Sequence, residues 1–303
     1  MPLSRAPEPA RPVHPGPAHP APAHPAPAHP APVHPVRPAV RAPYRSLYLA
    51  SLQQALAHRR AVLVDLAGNA VWAAVLYYLW RSIFAGATSV GGYSWDQMRT
   101  YVLLSFALGQ LLAFQAEMQM HRDIRSGQVA LDLVRPVNYP AMQLVRALGA
   151  GTPHMAGALA GTAVIGGALL HALPPHSPAA ALLFLLTLAV GVAVNAMLCF
   201  LTSLLCFWTE SAYGLILARQ AVTTFMAGGM VPLALFPAPL RVVAEWLPFS
   251  AIVSTPVQMY LGRLTGDDAL LALGRQLAWA VVMSALTVRL WRAARRHLTV
   301  NGG

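Results

Sequence analysis

The sequence predicts an all-α, polytopic membrane protein, with six transmembrane helices preceded by an N-terminal interfacial helix. Three observations predict it. Of 303 residues, 56% are hydrophobic and only 10% charged, whereas soluble domains average about 25% charged. Six segments are apolar, or nearly so, over the roughly 20 residues that a helix rising ~1.5 Å per residue needs to cross a bilayer. The basic residues flank those segments on alternating sides.

The chain begins with a tract unlike the rest. From residue 1 to about 43 it is rich in His, Pro and Ala, with His14, His19, His24, His29 and His34 spaced five apart. Proline at this density blocks helix and favours extended polyproline II. Nothing in the tract offsets the entropy of ordering a core. The reading is a disordered tail, with metal binding or pH sensing by the histidines as the alternative. The tract has no continuous apolar run and is not a secretory signal peptide. The membrane domain is expected over residues 44–298.

Residues 44–60 read as an amphipathic helix in the inner interface. Leu47, Leu49, Leu52 and Leu56 alternate with Arg45, Gln53, Gln54 and His58. The spans follow at about residues 61–80, 100–116, 147–170, 179–207, 213–235 and 270–291. Between the last two, residues 236–268 carry Pro237, Pro239, Pro248 and Pro256. This stretch is too apolar for a solvated loop and too proline-broken for a span. Short helices at, or partly entering, the outer face are expected.

All 21 basic residues are arginine. With both termini on the cytoplasmic side, 16 arginines lie inside and 5 outside. The opposite orientation reverses that ratio and violates the positive-inside tendency. The arginines do not form a continuous stripe, so the net charge of +11 points to membrane lipid rather than nucleic acid. Cys199 and Cys206 sit in one apolar segment as small buried hydrophobes. They form neither a disulfide framework nor a metal site.

Several polar residues stand out. Asp65 and Asn69 share a face of the first span and read as an inner-interface pair or a pathway site. Glu117, beyond the second span, is expected to pair with Arg122 or Arg125, or to cap the loop that follows. His154 reads as facing a cavity or hydrogen-bonding a neighbouring helix, Asn195 as an interhelical hydrogen-bonding group, and Gly157, Gly161, Gly166 and Gly167 as close-packing positions. Glu210 and Arg219 frame the junction of the fourth and fifth spans, as a charge pair or a second partner contact. Trp246 suits the outer aromatic belt, and Glu245 is a candidate for an outer gate.

The loop after the second span is the most informative. It mixes both charge signs with apolar residues at Ile124, Val129, Leu131 and Val134, the composition of a short cytoplasmic helix with a docking face. Gly127 can break it and Pro136 ends it. The run Asp123-Ile124-Arg125-Ser126-Gly127, then Leu131, then Leu133-Val134-Arg135-Pro136-Val137 resembles permeases of ABC-2 type transporters. The likeness is strongest to a bacterial branch with an IRSG…LLRPV signature in this loop; Val134 stands where Leu is expected. Val231-Pro232-Leu233, Phe236-Pro237, Trp246-Leu247-Pro248-Phe249, Pro256 and Leu261-Gly262 follow in the order of that branch. The resemblance covers about residues 45–295, and the His-Pro head has no counterpart in it.

The resemblance implies a mechanism. Two permeases, either two copies or a copy and a paralogue, would form the translocation path, usually for export. A separate ATPase subunit would grip each coupling loop, through Asp123, Ile124, Arg125, Ser126, Gly127, Leu131, Arg135 and Pro136. It also implies the inner membrane of a bacterium. A phosphate-cradling P-loop requires lysine, and this chain has none. The chain is therefore expected to bind no cofactor and to catalyse no reaction, with ATP used by the partner subunit. The rival readings are a secondary transporter and a membrane-embedded enzyme. The first calls for an inverted repeat and midplane charges; the second calls for H-E-x-x-H or paired acids. Neither pattern is found.

Overall fold

The computed structural model describes residues 43–109, 114–126, 128–133, 138–164, 166–167, 171–205 and 212–298. The His-Pro tract lies outside them. The described chain is mostly helical.

Helix α1 (Pro43–Ala57) ends at His58, whose backbone (φ −93°, ψ 32°) separates it from α2 (Arg59–Phe84). A two-residue antiparallel hairpin follows, β1 (Ser89–Val90) and β2 (Tyr93–Ser94), paired Ser89 to Ser94 and Val90 to Tyr93. Gly91 and Gly92 hold its turn at φ 60° and 76°, the left-handed region that tight hairpin turns require. Residues Ser94 and Gln97 form a reciprocal capping box: each side chain accepts the other's backbone N–H at 3.3 Å. This box starts α3 (Trp95–Gly109).

Helices α4 (Phe114–Arg125) and α5 (Gln128–Leu133) form the loop region. The Asn138 side chain accepts the Ala141 N–H at 3.2 Å and caps α6 (Tyr139–Val164). Ser177 does the same for Ala180 at 3.1 Å at the start of α7 (Pro178–Leu205). Helix α8 (Ala212–Met226) stops short of the predicted fifth span's end at residue 235. Gly228 turns to φ 78°, and Pro232 follows soon after.

The proline-rich segment folds into short helices: a 3-10 turn at Leu233–Leu235, α9 (Ala238–Trp246), a second 3-10 turn at Pro248–Ala251, and α10 (Ser254–Tyr260). Helix α11 (Gly266–Leu298) closes the described chain. Asp267 and Asp268 in its first turn complement the helix dipole.

Among the described residues, three helices are long and apolar enough to cross a membrane: Val62–Phe84, Pro178–Leu205 and Gly266–Ala294. They correspond to the first, fourth and sixth predicted spans. Much of their surface stays exposed, including Leu63, Val64, Val71 and Val75 of α2, as a lipid-facing stripe requires. The predicted second span is divided between α3 and α4, and residues 110–113 lie outside the described chain. Helix α6 is 26 residues long but is not among those three.

Two larger clusters hold the helices together. At the hairpin end, Tyr93, Met98, Tyr101, Phe184, Leu188, Ile252 and Val257 pack into one core. The segment after α9 enters this core closely: a Cβ on Gly191 of α7 would lie 2.5 Å from the Ala251 carbonyl oxygen. At the other end, Met120, Val129, Tyr139, Met142, Phe200, Leu204, Trp291 and Ala294 form a second core. There the Tyr139 and Trp291 rings stack 4.5 Å apart. Helix α1 lies against α6. A Cβ on Gly149 would meet the Tyr48 carbonyl oxygen at 2.6 Å, and the Tyr48 hydroxyl is 3.0 Å from Thr152 Oγ1. Gly157 lets α6 approach Leu66 of α2, whereas Gly161 and Gly167 face open space.

Candidate functional site

The loop singled out in the sequence folds as two short helices, α4 and α5, anchored by buried groups and exposing polar ones. The anchors are apolar and ionic. Met120 and Val129 are buried in the second core. Glu117, fully buried, receives two hydrogen bonds from Arg219 of α8: Nε to Oε1 at 3.1 Å and Nη2 to Oε2 at 2.7 Å. This fork-to-carboxylate geometry is the strongest form of side-chain ion pair. Asp132 of α5, also buried, accepts from Arg146 Nη1 of α6 at 3.0 Å. The loop is thus tied to two different long-range elements, α8 and α6.

Glu117 lies one residue past the predicted second span. Burial pushes its carboxyl up to about 7, although Arg219 pulls the other way. Desolvation dominates because the ionised carboxylate loses more by leaving water than the one guanidinium returns.

The opposite face carries an exposed polar set. Gln119 bridges two charges, donating from Nε2 to Asp123 Oδ1 at 2.8 Å and accepting from Arg122 Nη2 at 2.7 Å. Ser126 is exposed, donates its N–H to the Arg122 carbonyl at 2.9 Å, and sends its hydroxyl to the Asp123 carbonyl at 3.3 Å. This is a helix end closed by local bonds, with charged side chains on its exposed face.

The predicted coupling residues divide accordingly. Asp123 and Ser126 sit together on this face. Ile124 and Arg125 belong to α4 and Leu131 to α5 by backbone, while their side chains lie outside the described set. Gly127, Arg135 and Pro136 lie outside it entirely, as do Glu210, Cys206 and the side chains of Asp65 and Asn69.

The structure corrects one pairing. The carboxylate of Glu117 turns to Arg219, while Arg122 is engaged by Gln119 on the exposed face and the Arg125 side chain lies outside the described set. Arg219, read as framing a junction with Glu210, is nearly buried and donates to Glu117, and Glu210 lies outside the described residues. The anchors Met120 and Asp132 were not singled out in sequence; only the apolar and acidic positions within a short loop hinted at them. His154 and Asn195 are buried, and Asn195 Oδ1 is 4.0 Å from the Cys199 thiol. Glu245 is half-buried and pairs with Arg241 at a long 3.9 Å. Trp246 is exposed, and its carbonyl accepts from Trp279 Nε1 at 2.7 Å.

Residues 70–302 match the family described as ABC-2 family transporter protein. A comparison with curated proteins finds no match. The family match takes in α3 to α11, and so the whole α4–α5 element, along with most of α2. The chain belongs to the ABC-2 transporter family and is a multi-pass membrane permease of an ABC transporter.

Proposed function

We propose that this permease belongs to an exporter and that α4–α5 is the element gripped by a separate ATPase subunit. The observation that carries the reading is the division of this element. Its buried side is fixed to α8 and α6 by Glu117–Arg219 and Asp132–Arg146, and its other side presents Arg122, Asp123 and Ser126. Force applied to such a face reaches two helices of the bundle at once. Asp123, Ile124, Arg125, Ser126, Gly127, Leu131, Arg135 and Pro136 form the docking surface. ATP is bound and hydrolysed on the partner; this chain supplies the path and the lever.

The same reading has six spans. Helix α3 running to the start of α4, helix α6 and helix α8 supply the three beyond the clearly apolar ones. Both termini are cytoplasmic, in the inner membrane of a bacterium, and α1 lies along the inner interface with one face on α6. A second permease, identical or paralogous, completes the path.

The test is copurification of the detergent-solubilised protein with its ATPase, comparing wild type with Asp123→Ala/Arg125→Ala. Capture by wild type and loss in the variant is expected. Capture that survives moves the contact to another inner loop. Failure of folded wild type to capture an ATPase favours a secondary transporter.

A further inference from the structure

Helix α11 separates its charges along its length. Its acids, Asp267 and Asp268, stand in the first turn, and Arg289, Arg292, Arg295 and Arg296 crowd its far end. Between these ends the exposed surface is apolar, from Leu270 through Leu277, Val281 and Val282 to Val288. At ~1.5 Å per residue that run is about 27 Å long, close to the ~30 Å of hydrocarbon in a bilayer. Arg289 is the next residue. The apolar surface therefore ends, and the basic one begins, where hydrocarbon gives way to headgroups.

The opposite side of the same helix end is fixed in the protein. Trp291 and Ala294 are buried in the second core, with Leu290 packed against it. This holds Arg289 and Arg292 outward, one turn apart, and both are exposed. Ala278, Val281, Val282 and Ala285, all exposed, lead along the helix to that pair.

These two arginines also differ from others in the molecule. Arg122 is held by Gln119, Arg146 by Asp132 and Arg219 by Glu117. Arg289 and Arg292 have no ion pair or hydrogen bond among the described residues, and no acid follows Asp268 in the sequence. Two adjacent guanidiniums without an acid, at the edge of a lipid-length apolar strip, complement a ligand that is anionic at one end and apolar at the other. A guanidinium fork matches phosphate oxygens bidentately.

We infer that Arg289 and Arg292 form a headgroup site for an anionic phospholipid, whose acyl chain lies along Val281, Val282 and Ala285. An acidic protein partner would satisfy the charges but leave the adjoining apolar strip uncovered. The inference stands apart from ATPase docking on α4–α5, and a bilayer with the same lipid in both leaflets tests it whichever way the chain is oriented.

The test places a fluorophore on Ala285→Cys, one turn before Arg289, in the full chain with Cys199→Ser/Cys206→Ser. The protein is reconstituted in phosphatidylcholine, and quenching is titrated with phosphatidylglycerol or phosphatidylcholine brominated on the acyl chain. Brominated phosphatidylglycerol should quench with a relative binding constant about 25-fold higher, from roughly fivefold for each arginine near an anionic headgroup. Arg292→Gln should reduce the preference by about fivefold, and Arg289→Gln/Arg292→Gln should abolish it. Both substitutions are on exposed side chains, and unchanged melting midpoints should accompany the loss. A label at Leu185→Cys on α7, an exposed position on a helix with no charged residue, should show no preference.

Equal quenching by both lipids at Ala285→Cys, a preference that survives the double substitution, or the same preference at Leu185→Cys overturns the inference. So does a label that neither lipid quenches, since that face is then covered by protein. Loss of the preference on adding millimolar glycerol phosphate also overturns it, by assigning the arginines to a soluble phosphate.

Discussion

Glu117 of α4 and Arg219 of α8, 102 residues apart, form a bidentate ion pair at 3.1 and 2.7 Å with both side chains withdrawn from solvent. One charged link thereby fastens the short loop helix to a helix of the bundle. Removing one partner leaves the other charged and buried, which typically costs about 3–5 kcal/mol, whereas replacing both with apolar groups is often neutral. Glu117→Met and Arg219→Met should each lower the thermal unfolding midpoint in detergent sharply. The double variant should recover most of the loss yet remain impaired in ATP-driven transport. A double variant as unstable as the worse single one would show that the two residues do not act as a pair.

The same carboxyl predicts a pH dependence. Its value in the folded protein, about 7, lies above the ordinary 4.5, so the folded state holds the proton more tightly than the unfolded chain. Between those values the unfolded chain has already lost the proton that the folded protein keeps. The Glu117 contribution to stability is therefore full below about 4.5 and declines as pH rises towards 7. Melting profiles of wild type and Glu117→Gln across this range should differ by that decline. Parallel profiles would refute the assignment.

Helix α1 depends on a missing side chain. A Cβ at position 149 would lie 2.6 Å from the Tyr48 carbonyl oxygen and 2.9 Å from Ser51 Cβ, and a backbone atom cannot swing aside. Gly149→Val should prise α1 from α6, at about 1–3 kcal/mol for overpacking. Thermal melting in detergent checks this: the midpoint should fall for Gly149→Val and hold for Gly151→Val. Gly151, beside which nothing lies within 4 Å, is the control position.

At the hairpin end, the buried Tyr101 hydroxyl donates to the Gly228 carbonyl at 2.7 Å. Gly228 itself is held at φ 78°, with room for no Cβ because Tyr101 Oη would lie 2.7 Å away. Tyr101→Phe should cost about 1–3 kcal/mol by leaving that carbonyl unpaired. Gly228→Ala should cost more than Gly229→Ala, since it adds left-handed strain to the clash. Chemical denaturation or thermal melting of the three variants checks this ordering.

Much was legible before any coordinates. Scarcity of charge marked a membrane chain because ionic groups are excluded from hydrocarbon. The first, fourth and sixth spans were readable as long apolar runs, since a spanning helix must satisfy its backbone internally and shield it with apolar side chains. The prolines of residues 236–268 marked short helices because each removes a backbone donor. Residues 123–137 marked the family by their resemblance to its loop signature, while their mixed charge and apolar spacing marked only a short helix with a docking face. Boundaries were less readable: α8 ends at Met226 because of a glycine conformation, although the apolar run continues beyond it.

What only the tertiary structure decided was which polar groups meet. Sequence spacing reports the faces of one helix, so it offered Arg122 and Arg125 to Glu117 as local partners. The rotation of α4 against α8 brought Arg219 there instead, across 102 positions.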